Sequence, residues 1–442
     1  MLSESQERML LVVRRGHEAE VERIFEKWDL HAVHIGEVTS GGRLCVKHHG
    51  EVVADIPNAA LTDEAPVYRR PMAEPAYLAG ARQLSLAALG PPPPAREVFR
   101  RLLASPAVAS KQWVYRQYDH MVRTNTLVVP GMGAGVVRVK GTTRALAMSV
   151  DGNGRFVHLD PFLGAQLAVA EAARNVACTG AQPIGATNCL NFGNPERPDI
   201  MWQFARAVEG IGAACRALDI PITGGNVSLY NETDGRAVLP TPVLGMVGLI
   251  EDAATVVRRA FRGEGDAIVL LGAGRGELGG SEYLKVVHGL VRGTPPVLDL
   301  ELEAALQRLL VAGVAAGLIR SAHDCAEGGL AVTLAECCFN TGLGASVEVP
   351  SVDVETAFAS VATLFGESAS RVVVSVQADR TAELVAAAQA GGVPAAAIGR
   401  VGGERIRIAM AGQIAIDEPL AEAEDIWSRV IGGYFDRPRG AA

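Results

Sequence analysis

The stretch Leu2-Ser3-Glu4-Ser5-Gln6-Glu7-Arg8-Met9-Leu10-Leu11-Val12-Val13 has an echo far along the same chain. The echo is Phe365-Gly366-Glu367-Ser368-Ala369-Ser370-Arg371-Val372-Val373-Val374-Ser375-Val376. Glu4, Ser5 and Arg8 fall on Glu367, Ser368 and Arg371 at one offset of 363 residues. The same offset carries Ile35-Gly36-Glu37-Val38 onto Ile398-Gly399-Arg400-Val401. Two matches in one register, with no gap between them, are hard to obtain by chance, so the segments read as copies of one supersecondary unit. Each begins as a charged, small-residue turn and continues as an apolar run, the pattern of a loop feeding a strand. The second copy follows a long stretch of folded sequence, whereas the first begins at residue 2. The expectation is that the chain starts inside a domain whose upstream half is absent.

Working outward, residues 8–13 read as a strand and 18–28 as a short helix, with Val21, Ile24 and Phe25 at helical spacing. Strands are expected at 32–38 and 44–48. From 62 to 110 the pattern loosens, and Gly90-Pro91-Pro92-Pro93-Pro94 reads as a stiff linker element. A new domain is expected over 111–252. In it Asp160-Pro161 opens a helix as N-cap and first-turn proline. A second helix gathers Phe204, Val208, Ile211 and Cys215, and leads to a short strand at 220–223 that ends in Gly224-Gly225-Asn226. The last domain, 253–442, opens its core with 267–271 and holds the second repeat copy. Alternating strands and helices predict an α/β (α+β) architecture, divided as 1–61, 62–110, 111–252 and 253–442.

A chain of 442 residues calls for two or three cores. It is 49% apolar and 20% charged, a globular composition. With 41 basic against 49 acidic residues there is no excess to neutralise a nucleic-acid backbone. Charged Glu4, Glu7 and Arg8 stand where a signal peptide would need an apolar core. The longest uncharged stretch, 175–195, is broken by Gln182, Pro183, Asn188, Asn191 and Asn194, so no membrane span is expected. Seven cysteines without a C-x-x-C spacing read as reduced thiols of a cytoplasmic protein rather than a disulfide framework or zinc site.

Several segments could carry chemistry. In Gly224-Gly225-Asn226-Val227-Ser228 two glycines let backbone N–H groups approach an anion closely. Asn226 offers an oxygen suited to Mg²⁺, and Ser228 a hydroxyl. A plain tight turn is the competing reading. Asn188-Cys189-Leu190-Asn191-Phe192-Gly193-Asn194-Pro195 reads as a loop, either self-bonded or lining a nucleotide site. Glu4-Ser5-Gln6 sets an acceptor, a hydroxyl and an amide side by side, enough to grip a polar substrate. Its second copy, Glu367-Ser368-Ala369, loses the amide, as expected if it keeps only a structural role. His323-Asp324-Cys325-Ala326-Glu327-Gly328-Gly329 has neither a zinc spacing nor an oriented catalytic base, and reads as a close-packed turn into a helix. Gly131-Met132-Gly133-Ala134-Gly135 lacks the Lys-Ser/Thr of a P-loop.

Taken together, these strings resemble the PurL family of phosphoribosylformylglycinamidine synthase large subunits over essentially the whole chain. Those that carry the resemblance are 2–10, Gln117-Tyr118-Asp119-His120-Met121, Asp151-Gly152-Asn153-Gly154-Arg155, 190–196 and 225–233. The resemblance implies two tandem PurM-like modules, each with an N-terminal and a C-terminal α/β domain. Residues 1–61 would be the tail of the first C-terminal domain, 62–110 a linker, and the rest the complete second module. It implies ATP and Mg²⁺ as cofactors and conversion of formylglycinamide ribonucleotide to its amidine with glutamine-derived ammonia. Glu4, Ser5, Gln6 and Ser228 would contact the ribonucleotide, Asn188 and Gly225 the ATP, and Asn226 the Mg²⁺. Asn188 stands where many relatives carry Asp, so a neutral amide replaces a carboxylate there. His120 is not promoted to a catalytic role, because the family's histidine belongs to the first module. No glutaminase Cys/His arrangement is visible, so the implied partners are the glutaminase subunit PurQ and the small subunit PurS. A nucleotide-binding but catalytically inactive piece, or a monomodular PurM-like synthetase, are the alternative readings.

Overall fold

The computed structural model describes residues 8–436. They fall into two compact units, divided between Arg69 and Arg70. The first holds a helix, Glu18–Glu26, then an antiparallel hairpin of Arg43–His48 and Glu51–Pro57, and a short helix, Asn58–Leu61. None of its described residues is fully buried. The strands expected at 8–13 and 32–38 do not form there. A strand exists only by pairing, and among the described residues no other strand of this unit lies beside either segment, so their β-propensity finds no ladder.

The second unit contains two large sheets. The first has six strands in the order Thr126–Val128, Gly135–Arg138, Ala145–Asp151, Thr241–Ile250, Gln182–Asn191 and Ile222–Ser228. Helices Pro161–Ala177 and Pro198–Ala217 cover one face, where Val169, Ala173 and Ile211 meet Ala147, Leu244 and Met246. The first of these helices starts as expected: Asp160 accepts from the Leu163 N–H and Pro161 occupies the first turn.

The other sheet has seven strands, ordered Ser321–Asp324, Val372–Val376, Ala267–Leu271, Ala395–Val401, Ala345–Glu348, Arg405–Met410 and Gln413–Pro419. Strands Val372–Val376 and Ala267–Leu271 are buried at every position, because helices lie on both faces. Leu306, Leu310 and Leu384 pack on one side, and Leu330, Leu334 and Phe365 on the other. The span expected as a linker contributes to this core. Pro94 leads into helix Ala95–Leu103, whose Val98, Phe99, Leu102 and Leu103 are buried. Their spacing puts them on one helix face, a pattern masked in the sequence by the adjacent proline run. Among the described residues no helix is long and apolar enough to cross a membrane.

Candidate functional site

Strands Gln182–Asn191 and Ile222–Ser228 run parallel at one edge of the six-stranded sheet. Their register sets Asn188 opposite Gly225, Cys189 opposite Asn226, and Asn191 opposite Ser228. The four predicted residues are thus brought to the carboxyl ends of two neighbouring parallel strands. That is where open α/β sheets hold ligands.

Two local expectations are corrected. Residues 188–191 are strand rather than loop, and the loop begins at Phe192. Asparagine is tolerated because Asn191 Nδ2 donates to the carbonyls of Cys189 and Thr241, at 3.1 and 3.2 Å. Likewise Gly224–Ser228 does not turn after a strand but continues Ile222–Ser228 itself. The reason lies in Gly225. A Cβ there would stand 2.2 Å from Asn188 Oδ1 and 2.8 Å from the Asn188 carbonyl oxygen. Only a residue without a side chain lets the strands pair while Asn188 keeps its position. Gly224 faces open space, with nothing within 4 Å of such a Cβ.

Around this pair the side chains are polar and accessible. Thr187 Oγ1 donates to the Gly224 carbonyl at 3.0 Å. Asn226 is exposed, its Nδ2 3.8 Å from Cys189 Sγ. Ser228 Oγ donates to Asn231 Oδ1 at 3.1 Å, and Asn231 Nδ2 ties the turn to the Ser228 and Phe192 carbonyls. Exposed backbone, one hard amide oxygen and a positioned hydroxyl suit a polyanionic ligand with its cation. Glu4, Ser5 and Gln6 lie outside the described residues.

A second constellation lies between the two sheets, and sequence reasoning missed most of it. Asp151 ends strand Ala145–Asp151, Glu171 projects from helix Pro161–Ala177, Asp324 ends strand Ser321–Asp324, and Glu327 and Glu367 sit on adjoining loops. A cavity of about 20 Å³ is lined by Glu171, Arg174, Glu327 and Glu367, among others, room for one water. Burial pushes the Asp151 carboxyl up to about 7, with the Asp324 charge adding to it. Burial raises Glu367 to about 8, helped by Glu327. Glu171, Asp324 and Glu327 are raised for the same first cause, burial. Arg174 opposes part of this crowding: its guanidinium lies 2.8 Å from Glu303 and 3.8 Å from Asp324. Glu367 Oε1 accepts from the backbone N–H groups of Glu282 and Gly328, both at 2.8 Å. Ser368 Oγ accepts from the Arg275 N–H. Glu367 and Ser368 therefore hold loops together. The available signal was polar Glu171, Arg174 and Asn175 on an otherwise alanine-rich helix.

Of the 323–329 segment expected as a turn, His323 and Asp324 end strand Ser321–Asp324, and only 325–328 form the connection into the next helix. His323 Nε2 lies 2.9 Å from Glu336, and burial pushes the Cys325 thiol up, away from nucleophilic use. Gly328-Gly329 opens helix Gly329–Cys338. Among the described residues no group of three His, Cys, Asp or Glu side chains is arranged to hold a metal ion.

The N-terminal domain of AIR synthase related proteins matches residues 131–250, and the C-terminal domain of that family matches 1–49 and 263–410. The PurL subunit of phosphoribosylformylglycinamidine synthase from Moorella thermoacetica is 50% identical over 431 residues, 98% of this chain and 58% of that protein. The PurL of an Anaeromyxobacter species is 48% identical, covering 100% of this chain and again 58% of the relative. The chain thus spans 58% of the length of these curated relatives. Among solved structures, Thermotoga maritima PurL complexed with FGAR superposes with a TM-score of 0.62 at 19% identity, over 75% of this chain and 54% of that one. The PurLQS structure from the same organism gives 0.60 at 18%, over 80% and 54%. At that identity the likeness speaks for the fold. The sequence matches go further, and with both domains present in order the chain belongs to the PurL family of AIR synthase related proteins.

Proposed function

We propose that this protein serves the ATP-dependent conversion of formylglycinamide ribonucleotide to formylglycinamidine ribonucleotide, a step of purine biosynthesis, in the cytoplasm. The observation that carries the reading is the pairing of Asn188 with Gly225 at the carboxyl end of two parallel strands, with Asn226 and Ser228 just beyond. In this proposal residues 1–61 are the tail of one C-terminal domain, 111–252 an N-terminal domain and 253–442 its C-terminal partner, with 62–110 between them. The family match over 1–49 and 263–410 supports that division.

The roles follow from chemistry. The Gly225 backbone, with no Cβ in the way, receives ATP phosphates, and Asn188 orients the nucleotide beside it. The Asn226 amide oxygen is a hard donor of the kind Mg²⁺ accepts alongside phosphate oxygens; bound there, the cation would neutralise charge on the transferred phosphoryl group. Ser228, and Glu4, Ser5 and Gln6, grip the ribonucleotide. The amide oxygen of the substrate takes the γ-phosphoryl group and ADP departs. Ammonia then adds to the activated carbon, and phosphate leaves with the C–O electrons to give the amidine. The ammonia comes from a glutaminase partner, PurQ, with PurS completing the assembly. Thermotoga maritima PurL has been solved with ATP, with ADP and with FGAR, and as PurLQS, which supports these ligands and partners.

Calorimetric titration of Mg-ATP into wild type and Gly225→Val tests the site. Wild type should bind, and the variant should bind at least about tenfold more weakly, because its side chain must displace Asn188. No heat with wild type, or equal binding by the variant, overturns the assignment.

A further inference from the structure

Just past strand Ile222–Ser228 the chain makes a tight, strained turn. Tyr230 sits at φ 59°, in the left-handed region that a bulky side chain rarely occupies. Such strain persists only where the surroundings over-determine the backbone, and it gathers at ligand clamps. Here the over-determination comes from Asn231 and its neighbours. The Asn231 backbone N–H donates to the Phe192 carbonyl at 3.1 Å, and the Tyr230 N–H to the Gly193 carbonyl at 3.0 Å. The Asn231 side-chain Nδ2 donates to the Ser228 carbonyl at 2.8 Å and to the Phe192 carbonyl at 3.1 Å. Ser228 ends one parallel strand and Phe192 follows the other, so one side chain ties the two strand ends together.

The valences of this amide fix the position of a proton. Carbonyl oxygens only accept, so both hydrogens of Asn231 Nδ2 face the Phe192 and Ser228 carbonyls. Flipping the amide would set Oδ1 against those two oxygens, acceptor to acceptor. Asn231 Oδ1 therefore lies 3.1 Å from Ser228 Oγ. An amide oxygen has no hydrogen to give, so the Ser228 hydroxyl supplies the one between them. It spends that hydrogen inward, on Asn231. Among the described residues no N–H or O–H donates to Ser228 Oγ, so its lone pairs are what it offers outward. A hydroxyl held this way has nothing to donate to a phosphate oxygen.

We propose that Asn231 is a positioning residue that locks Ser228 as a hydrogen-bond acceptor, so that Ser228 recognises an O–H or N–H donor of the ribonucleotide rather than its phosphate. The inference deepens the proposed role of Ser228 and rests on it. Ribose hydroxyls and amide N–H groups are the donors such a ligand carries, whereas an ionised phosphate carries none. The assignment divides the work along the sheet edge. The Gly225 backbone and Asn226 take charge in that reading, and Ser228, two residues beyond Asn226, takes a neutral group. Fixing the hydroxyl in advance removes an ordering cost at binding. A ligand without the donor leaves the Ser228 lone pairs unpaired in the complex, which is how a polar site rejects an analogue.

The test is a double-mutant cycle on the full chain, read by calorimetric titration of formylglycinamide ribonucleotide. Asn231→Ala frees the Ser228 hydroxyl to turn outward as a donor and should weaken binding about fivefold, as should Ser228→Ala. In the Ser228→Ala background Asn231→Ala should cost less than about twofold, because the group it acts through is gone. Equal losses in both backgrounds would mean that Asn231 only holds the fold. Unchanged or tighter binding by Asn231→Ala would mean that Ser228 donates to phosphate. Either result overturns the proposal. Ribose 5-phosphate, which has the hydroxyls and the phosphate without the amide, names the donor: coupling persists with it for a ribose hydroxyl and vanishes for an amide N–H. A ligand-free measurement, which needs no variant, keeps this proposal apart from the reading beneath it. In wild type the Asn231 Nδ2 hydrogens should exchange at least about tenfold more slowly than those of exposed Asn226. If they do and wild type takes up no ribonucleotide, the functional reading of Ser228 falls, and the recognition with it, while the clasp stands. If the two amides exchange alike, the clasp is absent and this proposal falls alone.

Discussion

Gly224 and Gly225 look alike in sequence but answer to different constraints. A side chain at Gly225 meets Asn188, whereas one at Gly224 meets nothing. Gly224→Ala should therefore leave Mg-ATP binding within about twofold of wild type, while Gly225→Ala weakens it, and calorimetry on the pair separates backbone geometry from generic strand propensity. Asn226→Ala should weaken nucleotide binding mainly when Mg²⁺ is present; equal loss in its absence would remove the metal role. Away from that edge, Glu367 makes a pH prediction. An ordinary glutamate carries a pKa of 4.5, and burial lifts this one to about 8. The folded state then holds the proton more tightly than the unfolded chain. The stability this contributes is full below about pH 4.5 and is lost as pH rises to about 8, at no more than about 1.4 kcal/mol per pH unit. Asp151, raised to about 7, acts in the same direction. Glu367→Gln keeps an acceptor for the Glu282 and Gly328 N–H groups but cannot ionise. Its urea midpoint should fall less than that of wild type between about pH 5 and pH 8, and parallel profiles would show that Glu367 is not the titrating group.

Elements were legible where one periodicity and one cap agreed. The helix after Asp160-Pro161 was, and so was the fully buried strand Ala267–Leu271. The site residues were legible as strings, because asparagine and glycine clusters stand out, but their secondary structure was not. Whether Gly225 lies in a turn or a strand depends on Asn188, thirty-seven residues away, which no local pattern encodes. The buried carboxylates were harder still, since Asp151, Glu171 and Asp324 come together only when two sheets pack. Helix Ala95–Leu103 was obscured by the prolines ahead of it. Its role in the core predicts that Phe99→Ala costs about 3–5 kcal/mol, read as a lower urea midpoint at unchanged slope. A true linker would lose almost nothing. Helices Pro161–Ala177 and Leu300–Ala315 are joined by the buried pair Arg174–Glu303, which Ser370 and Gln307 also bond. Arg174→Met strands Glu303 without its counter-charge and should cost about 3–5 kcal/mol in the same measurement.

At the scale of the molecule, the duplicated hairpin is an experiment already built into the chain. Arg43–Pro57 and Arg405–Pro419 share register, bulge, turn and salt bridge, so their local backbone geometry is matched. Their surroundings do differ. The first sits in a unit with no buried residue among those described, and Val52 and Val53 are more than half exposed. The second pairs through Arg405–Met410 with Ala345–Glu348, and Ile406, Ile408 and Ile416 are buried under helices. An isolated two-stranded hairpin is marginal in water, because cross-strand pairs of a few tenths of a kcal/mol barely offset chain entropy. A hairpin embedded in a packed sheet opens only with its domain. Amide exchange in one sample should therefore show the ladder hydrogen bonds of 43–57 opening at a cost of about 1–2 kcal/mol or less, and those of 405–419 at several kcal/mol, near the global value. The comparison needs no reference protein, since each amide is read against its own counterpart 362 residues on. Equal protection in a monomer would mean that the first hairpin draws its stability from contacts this structure does not contain, and that local and tertiary contributions had been divided wrongly.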